Sequence, residues 1–315
     1  MKQRNERQVA TGHGHDGGQA EGLAADLATI EAIRMGRRRA LAWLGSAGGT
    51  ALLVGCGGSD SSGSVGTTSV STSTATATPT PTATATPTPT STASGSSTCT
   101  VPASETNGPY PADGTNTSSG LTSNALTASG IVRSDIRSSF IGSSTTTAIG
   151  VTTTLTITVV DANNGCAPLA GYAVYIWHCD RNGKYSLYDL PSESYLRGVQ
   201  ITDANGQVTF TTIFPGCYNG RYPHIHFEVF SSQANATTGR SAVLISQFAL
   251  PAAQCAAVYA LSDYSSSVTA YANSPLASDN VFADNTAAQM AVMMLTMTGS
   301  TSAGYAASST IAIAT

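Results

Sequence analysis

Two histidines and a nearby tyrosine give this chain its strongest candidate for a chemical site. His224 and His226 are separated by one residue, so a β-strand would place both imidazoles on one face and turn Ile225 to the other. Neutral imidazoles can bind zinc, copper, nickel or iron. Tyr218 precedes them and, when ionised, adds a hard, anionic oxygen donor. This combination favours a hard ion such as Fe(III).

Four ordered motifs surround these residues. They read W-x-x-D-x-x-G-x-Y (177–185), R-G-x-x-x-T-D-x-x-G (197–206), F-x-T-I-x-P-G-x-Y (210–218) and R-x-x-H-I-H (221–226). In this order they resemble the motifs of the intradiol ring-cleavage dioxygenases, the family of catechol and protocatechuate 3,4-dioxygenases. The chain looks most like the exported, single-chain members. An earlier fragment, 105–110, is similar to the family's T-E-G-P-Y element.

The resemblance implies a non-haem Fe(III) site and a role for each matching residue. Its four ligands would be Tyr185, Tyr218, His224 and His226. Arg221 matches an arginine beside the bound substrate, where a cation would stabilise negative charge on the ring as oxygen attacks. Gln247 resembles a glutamine near the iron, and Tyr110 would lie in an N-terminal arm at the pocket mouth. The implied reaction cleaves a catechol-type ring with O2 to a cis,cis-muconate, without NADH or flavin.

Other interpretations of the same residues stay open. The domain can be a tethered cell-surface binding module with a vestigial metal site, because β-sandwiches host unrelated functions. The histidine pair can also serve a copper or zinc hydrolase, with Glu228 as the one carboxylate further along the same face. The motifs do not specify which catechol is bound. Arg133 and Arg137 could attract a substrate carboxylate, although solvent exposure is the simpler expectation.

The first 55 residues are predicted to be an export signal. Three consecutive arginines, 37–39, precede a modest apolar run and resemble a twin-arginine signal. The run ends in Leu-Val-Gly-Cys at 53–56, which resembles a bacterial lipobox. Cleavage before Cys56 and lipidation of its thiol would attach the protein to a membrane of the bacterial cell envelope, on its periplasmic or cell-surface side. The alternative is an ordinary signal peptide with a chance cysteine, and Met35 is an alternative start.

Residues 56–98 and 99–315 are predicted to be a tether and a catalytic domain. Ser, Thr, Pro and Ala dominate the tether, which has too little apolar surface to fold. Its alternating prolines favour extended conformers, so it would hold the domain away from the membrane.

The pattern beyond residue 99 predicts an all-β fold, a β-sandwich of mostly antiparallel strands. Short runs rich in Val, Ile and Thr alternate with Gly, Pro and Asn turns, and the resemblance implies the same fold. Residues 203–206 are expected to join a hairpin-like pair, and 252–261 to form a helical turn. The predicted strands are 148–161, 172–178, 199–202, 207–213, 225–230, 242–250 and 290–297.

The charge balance and the cysteine spacing argue against some functions. Seven basic and thirteen acidic side chains follow Cys56, which argues against nucleic-acid binding. The sequence contains no run of about eighteen apolar residues, so no transmembrane helix is predicted. In an oxidising compartment the remaining five cysteines could form two disulfides and leave one thiol, with Cys217 a candidate for pairing. None has C-x-x-C spacing, which argues against zinc, and the oligomeric state is open.

Overall fold

A computed structural model of the chain describes residues 99–118 and 121–315. The predicted export signal and tether, including Cys56, lie outside the described residues. The described part contains eleven β-strands and three short α-helices. None of these helices is long and apolar enough to cross a membrane.

The elements have the following bounds. The strands are β1 (Asp113–Ser118), β2 (Leu121–Asn124), β3 (Thr152–Asp161), β4 (Ala167–Pro168), β5 (Ala173–Trp177), β6 (Arg197–Ile201), β7 (Gln207–Ile213), β8 (His224–Phe230), β9 (Leu244–Ala249), β10 (Thr296–Ser300) and β11 (Gly304–Ile313). The helices are α1 (Ala252–Tyr259), α2 (Ser267–Asn273) and α3 (Ala287–Met293). Single 3-10 turns occupy Gln233–Asn235, Gly239–Ser241, Ser262–Tyr264 and Leu276–Ser278.

Two sheets pack face to face, and β1 and β2 form a separate ribbon. One sheet has the strand order β10-β11-β3-β4, with β7 also paired to β3, and the other has the order β6-β5-β8-β9. Every pair of these strands is antiparallel except β11 and β3. The predicted β-sandwich of mostly antiparallel strands is confirmed.

The main apolar core fills the space between the two sheets. Leu155 and Ile157 of β3 face Ile176 of β5 and Ile225 and Phe227 of β8, and all five are completely buried. Successive side chains of a strand point to opposite faces. The alternate residues of β8, which include both histidines of the H-I-H motif, therefore lie on the outer face of the four-stranded sheet.

Two segments cover that outer face and keep it from solvent. They are the N-terminal arm (residues 99–112) and the β5–β6 loop (residues 178–196). Ala112 of the arm and Tyr185 of the loop share a buried cluster with Trp177 of β5. Strand β8 is therefore buried along its whole length, on both faces.

Most of the predicted elements are confirmed, but the hairpin at residues 203–206 is wrong. The turn itself forms, since the amide of Gly206 donates to the carbonyl of Asp203 and the amide of Asp203 donates to the carbonyl of Gln207. However, β6 pairs with β5 and β7 pairs with β3, so the turn carries the chain from one sheet to the other. Local turn chemistry does not distinguish a hairpin from such a crossover.

The strand predicted at residues 290–297 is also wrong over most of its length. Helix α3 begins after Thr286, whose hydroxyl accepts the amide of Gln289 while the Gln289 side chain accepts the amide of Thr286. This capping box starts a helix, which buries Met293 completely in an apolar cluster. Strand β10 begins only at Thr296.

Only one disulfide forms among the described residues, whereas two were predicted. Cys99 bonds to Cys166 and so ties the start of the N-terminal arm to the β3–β4 turn. Cys179, Cys217 and Cys255 are buried thiols. Cys217 is not in a disulfide, and its thiol instead lies 3.5 Å from the carbonyl of Arg221.

Candidate metal centre

The four predicted metal ligands come from three parts of the outer face. His224 and His226 lie on β8, Tyr185 lies in the β5–β6 loop, and Tyr218 lies in the segment between β7 and β8. Tyr185 and both histidines are buried, and Tyr218 is partly exposed.

Glycines allow the two tyrosine-bearing segments to touch. A Cβ on Gly216 would lie 2.6 and 2.7 Å from the carbonyl oxygens of Arg181 and Asp180, which is closer than such atoms can approach. Gly183 has a φ of +76° and would place a Cβ 3.1 Å from the carbonyl of Cys217. These close contacts explain the glycines that precede each tyrosine in the G-x-Y and P-G-x-Y motifs.

Asp180 of the first motif sets the turn that leads to Tyr185. Its Oδ1 accepts the amides of Asn182 at 2.8 Å and Lys184 at 3.0 Å. The amide of Tyr185 then donates to Asp189 at 2.8 Å. Trp177, at the start of the same motif, stacks on His226 with ring centroids 4.7 Å apart.

The donor atoms of all four predicted ligands meet at one point. The Nε2 atoms of His224 and His226 are 3.1 Å apart. The Tyr218 phenol oxygen lies 3.1 Å from His224 Nε2, and the Tyr185 phenol oxygen lies 3.4 Å from the same nitrogen. The two phenol oxygens are 3.5 Å from each other. Every predicted ligand is therefore part of the same cluster.

A backbone contact fixes the tautomer of His224, and it is the one that a metal ligand needs. Nδ1 of His224 is 2.6 Å from the carbonyl of Tyr222. A carbonyl only accepts hydrogen bonds, so Nδ1 carries the proton and Nε2 presents its lone pair to the cluster. Burial lowers the pKa of His224 to about 3, and burial together with His224 lowers the pKa of His226 well below its usual value. Both imidazoles are neutral at physiological pH.

This donor set fits a hard, highly charged metal ion. The Nε2 atoms of the two imidazoles lie 3.1 Å apart, close enough for one cation to contact both. Burial raises the pKa of the Tyr185 phenol well above its usual value, so a strong cation is required to ionise it. Within residues 99–118 and 121–315, no group of three or more His, Cys, Asp or Glu side chains could hold a metal. The two phenol oxygens would add hard, anionic donors to the two imidazoles, a set that suits Fe(III).

Arg221 is buried beside the centre and belongs to a polar network. Its Nε lies 3.1 Å from Asp279 Oδ2, and its Nη2 donates to Gln247 Oε1 at 2.7 Å. Gln247 stands opposite His226 in the pairing of β8 with β9, and its amide group donates to the carbonyl of Thr106 at 2.9 Å. The structure thus brings Arg221 and Gln247 together, and the ion pair of Arg221 with Asp279 is buried.

Asp279 is the residue of this network that the sequence did not reveal. Its carboxylate accepts the amides of Tyr222, Val281 and Phe282 as well as the Arg221 guanidinium. Burial acts to raise the pKa of Asp279, but Arg221 and the Tyr222 amide outweigh it and hold that pKa below its usual value. Asp279 follows a 3-10 turn outside every motif, so only its acidic side chain could have drawn attention to it.

Tyr110 lies against the centre, as expected for a residue of the N-terminal arm. Its ring centroid is 4.8 Å from that of Tyr185 and 5.1 Å from that of Tyr188. Since Thr106 of the same arm contacts Gln247, the arm follows the edge of the cluster from one side to the other.

Glu228 shares the strand face of the histidines but not their cluster. It is fully buried, and as a carboxylate it has no hydrogen-bond donor within reach. Burial raises its pKa well above the usual value, and the nearby Asp113 raises it further. The surroundings of Glu228 therefore favour its neutral form, which does not supply the general base expected of a metal hydrolase.

The two arginines considered for a substrate carboxylate are engaged elsewhere. The Arg133 guanidinium donates to the carbonyls of Ile136, Ser138 and Arg197, and it is half-buried rather than solvated. Arg137 pairs with Asp135 at 2.7 Å on the surface.

Comparisons with known proteins agree with the motifs. Residues 131–240 match the family model described as "Dioxygenase". A search of curated proteins found no match. An intradiol ring-cleavage dioxygenase from Tetranychus urticae is 28% identical, with 58% of this chain and 87% of that chain covered and a TM-score of 0.47. The dioxygenase domain of a dioxygenase carbohydrate-binding protein fusion from Streptomyces sp. SirexAA-E is 22% identical, with 58% and 88% covered and a TM-score of 0.38. Catechol 1,2-dioxygenase from Acinetobacter sp. ADP1 is 20% identical, with 57% and 55% covered and a TM-score of 0.35.

Proposed function

We propose that this protein, whose resemblance to the intradiol ring-cleavage dioxygenases is confirmed by the family match over residues 131–240, is a non-haem Fe(III)-dependent enzyme. Its substrates would be a catechol-type ring and O2, and its product a cis,cis-muconate. The observation that carries the proposal is the clustering of both phenol oxygens and His226 Nε2 around His224 Nε2, each within 3.1–3.4 Å of that nitrogen.

Tyr185, Tyr218, His224 and His226 would hold the iron. The histidines supply two neutral donors and the ionised tyrosines two negative charges, which leaves a ferric site with a net positive charge. The chemistry that this ion supplies is Lewis acidity, which makes a deprotonated catechol reactive toward O2.

The two tyrosines have different roles because they differ in exposure. Tyr185 is 1% exposed, whereas Tyr218 is partly exposed and is therefore the more accessible of the two to an incoming substrate. The Tyr218 phenol oxygen is therefore the atom that can accept a proton released by an incoming catechol. Tyr185 stays in place beneath Tyr110.

Arg221 supplies positive charge to the reacting ring. Its guanidinium is held by Asp279 and Gln247 and is only 1% exposed, so no solvent reorganisation is needed as negative charge develops. A preorganised charge of this kind stabilises a transition state more strongly than the same charge in water.

The visible absorption spectrum of the iron-loaded protein tests this proposal. Tyrosinate bound to Fe(III) gives a broad charge-transfer band and a red-brown colour, and we expect the band to shift when catechol is added. Tyr185→Phe and Tyr218→Phe should each weaken the band and reduce ring cleavage, whereas the control Tyr172→Phe should change neither. A colourless protein that binds catechol without cleaving it would contradict the proposal and support the binding module.

We also propose that the protein is an exported lipoprotein of the bacterial cell envelope, anchored through a lipid on Cys56. The support is the arginine run followed by Leu-Val-Gly-Cys at 53–56. Cys56→Ser should abolish labelling by a radioactive fatty acid and release the protein from the membrane fraction. Unchanged labelling and fractionation of this variant would contradict the proposal.

A further inference from the structure

A second buried guanidinium lies near the centre and has no role in the proposed reaction. Arg197, the first residue of β6, is only 1% exposed. An arginine side chain carries five N–H donors, and all five are used here. The acceptors are Ser186 Oγ (3.0 Å), the Ser186 carbonyl (2.8 Å), the Tyr110 carbonyl (2.9 Å), the Pro111 carbonyl (2.9 Å) and the Tyr175 phenol oxygen (3.2 Å). These acceptors are all neutral oxygens.

Most of the acceptors belong to the N-terminal arm and the β5–β6 loop, the two segments that cover the candidate metal centre. Ser186 directly follows the predicted ligand Tyr185 in the β5–β6 loop. Tyr110 and Pro111 belong to the N-terminal arm, and the Tyr110 ring packs on that of Tyr185 at 4.8 Å. Arg197 therefore joins the arm and the loop at the place where their aromatic rings meet.

The backbone on all three sides of this guanidinium is in an unfavourable conformation. Four described residues other than glycine have a positive φ, and three of them are Ala112 (49°), Leu187 (66°) and Leu196 (58°). Each directly adjoins Arg197 or one of the residues whose carbonyl it binds. Left-handed conformations of residues with a Cβ persist only where the surrounding structure enforces them. The five hydrogen bonds of Arg197 provide that constraint.

We propose that Arg197 is a positioning residue that holds Tyr185 and Tyr110 in place by binding the arm and the β5–β6 loop together. The inference rests on the proposed function in one respect, which is that Tyr185 is an iron ligand. Lysine cannot replace Arg197, because an ammonium group offers three donors from a single atom and cannot reach acceptors on both sides.

Hydrogen exchange of the full-length protein, prepared without iron, tests the positioning role independently of any reaction. Arg197→Lys is expected to increase exchange at least about tenfold in peptides covering 108–113 and 185–191, because hydrogen bonds to charged groups are among the strongest in proteins. Peptides from β3 should be unchanged. Arg137→Lys is the control, since the Arg137 side chain pairs with Asp135 and contacts neither segment nor Arg197. Equal exchange of both segments in Arg197→Lys and wild type would overturn the proposal.

Ser186→Ala provides a milder test if Arg197→Lys does not fold. It removes one acceptor of Arg197 Nε and keeps the guanidinium. We expect faster exchange in 185–191, and a charge-transfer band that is displaced from that of wild type at equal iron content. An unchanged band and unchanged exchange would show that Arg197 does not position Tyr185. If exchange increases but neither wild type nor variant shows a band with iron, the positioning role is supported and the iron-dependent function is refuted.

Discussion

Replacing Asp279 by asparagine tests the assignment of the residue that the motifs did not reveal. The substitution keeps the size of the side chain and removes the charge that faces Arg221 at 3.1 Å. Both side chains are at most 1% exposed, so solvent cannot replace the lost anion. Oδ1 accepts the amides of Val281 and Phe282, and Oδ2 accepts the amide of Tyr222 and Arg221 Nε, so the NH2 group of asparagine would face two N–H donors in either orientation.

The expected effects are large for both stability and turnover. Removing one partner of a buried ion pair destabilises proteins by roughly 3–5 kcal/mol, because the other charge is left uncompensated. Losing one preorganised electrostatic contact to a transition state lowers kcat by roughly 10²–10³-fold. We expect Asp279→Asn to fall in both ranges, since Arg221 would lose the group that orients it.

Urea unfolding and catechol turnover per bound iron measure the two effects separately. Asp263→Asn is the matched control, because Asp263 pairs with Arg181 at 2.9 Å but its side chain is 65% exposed. An exposed pair of this kind contributes only about 0–1 kcal/mol, so this control should be close to wild type in both assays.

The double variant Arg221→Met with Asp279→Asn distinguishes an ion pair from two independent residues. It should be less destabilised than the sum of the two single variants, since no buried charge is left alone. Additive losses, or an Asp279→Asn protein within about 1 kcal/mol of wild type, would refute the argument from the buried pair.

Three further predictions concern the rest of the domain. Burial lowers the pKa of His178 to about 4, so the unfolded chain binds this proton more tightly and stability should fall as the pH drops from about 6.5 toward 4. Between pH 7 and 5 the free energy of unfolding, measured with urea, should fall by about 2 kcal/mol through His178. The His178→Asn variant should lack this part of the pH dependence. A Cβ at position 216 would lie 2.6 Å from the Arg181 carbonyl, so Gly216→Ala should separate the tyrosine segments and weaken iron binding in titrations followed by absorbance; wild-type affinity would contradict this. Breaking the Cys99–Cys166 disulfide, which spans 67 residues, should cost about 4 kcal/mol in the same unfolding assay, and a loss below 1 kcal/mol would contradict the chain-entropy argument.

Only the histidine pair of the cluster could be predicted from a local physical cause, since alternation along β8 places His224 and His226 on one face. Tyr185, the ligand role of Tyr218, Arg221 and Gln247 were assigned through the resemblance. The structure adds a reason for the tyrosine motifs, because the glycines before Tyr185 and Tyr218 permit a close approach of two segments.

Features that depend on long-range packing were not predictable from such local patterns. Asp279 pairs with Arg221 across 58 residues, and nothing near it in the chain indicates that partner. The turn at residues 203–206 has the same local chemistry in a hairpin and in the crossover that it makes. The apolar residues of α3 fit a strand as well as a helix, and the capping box at Thr286 decided the outcome.

Because β8 is buried on both faces, a metal bound by its histidines would depend on the register of this strand. A slip of one residue along β8 would turn both histidines into the core between the sheets and bring Ile225 and Phe227 to the ligand cluster. Such a molecule could not bind iron, whereas a ligand that binds only the native state stabilises that state. Iron would therefore favour correctly paired molecules over molecules with a shifted register.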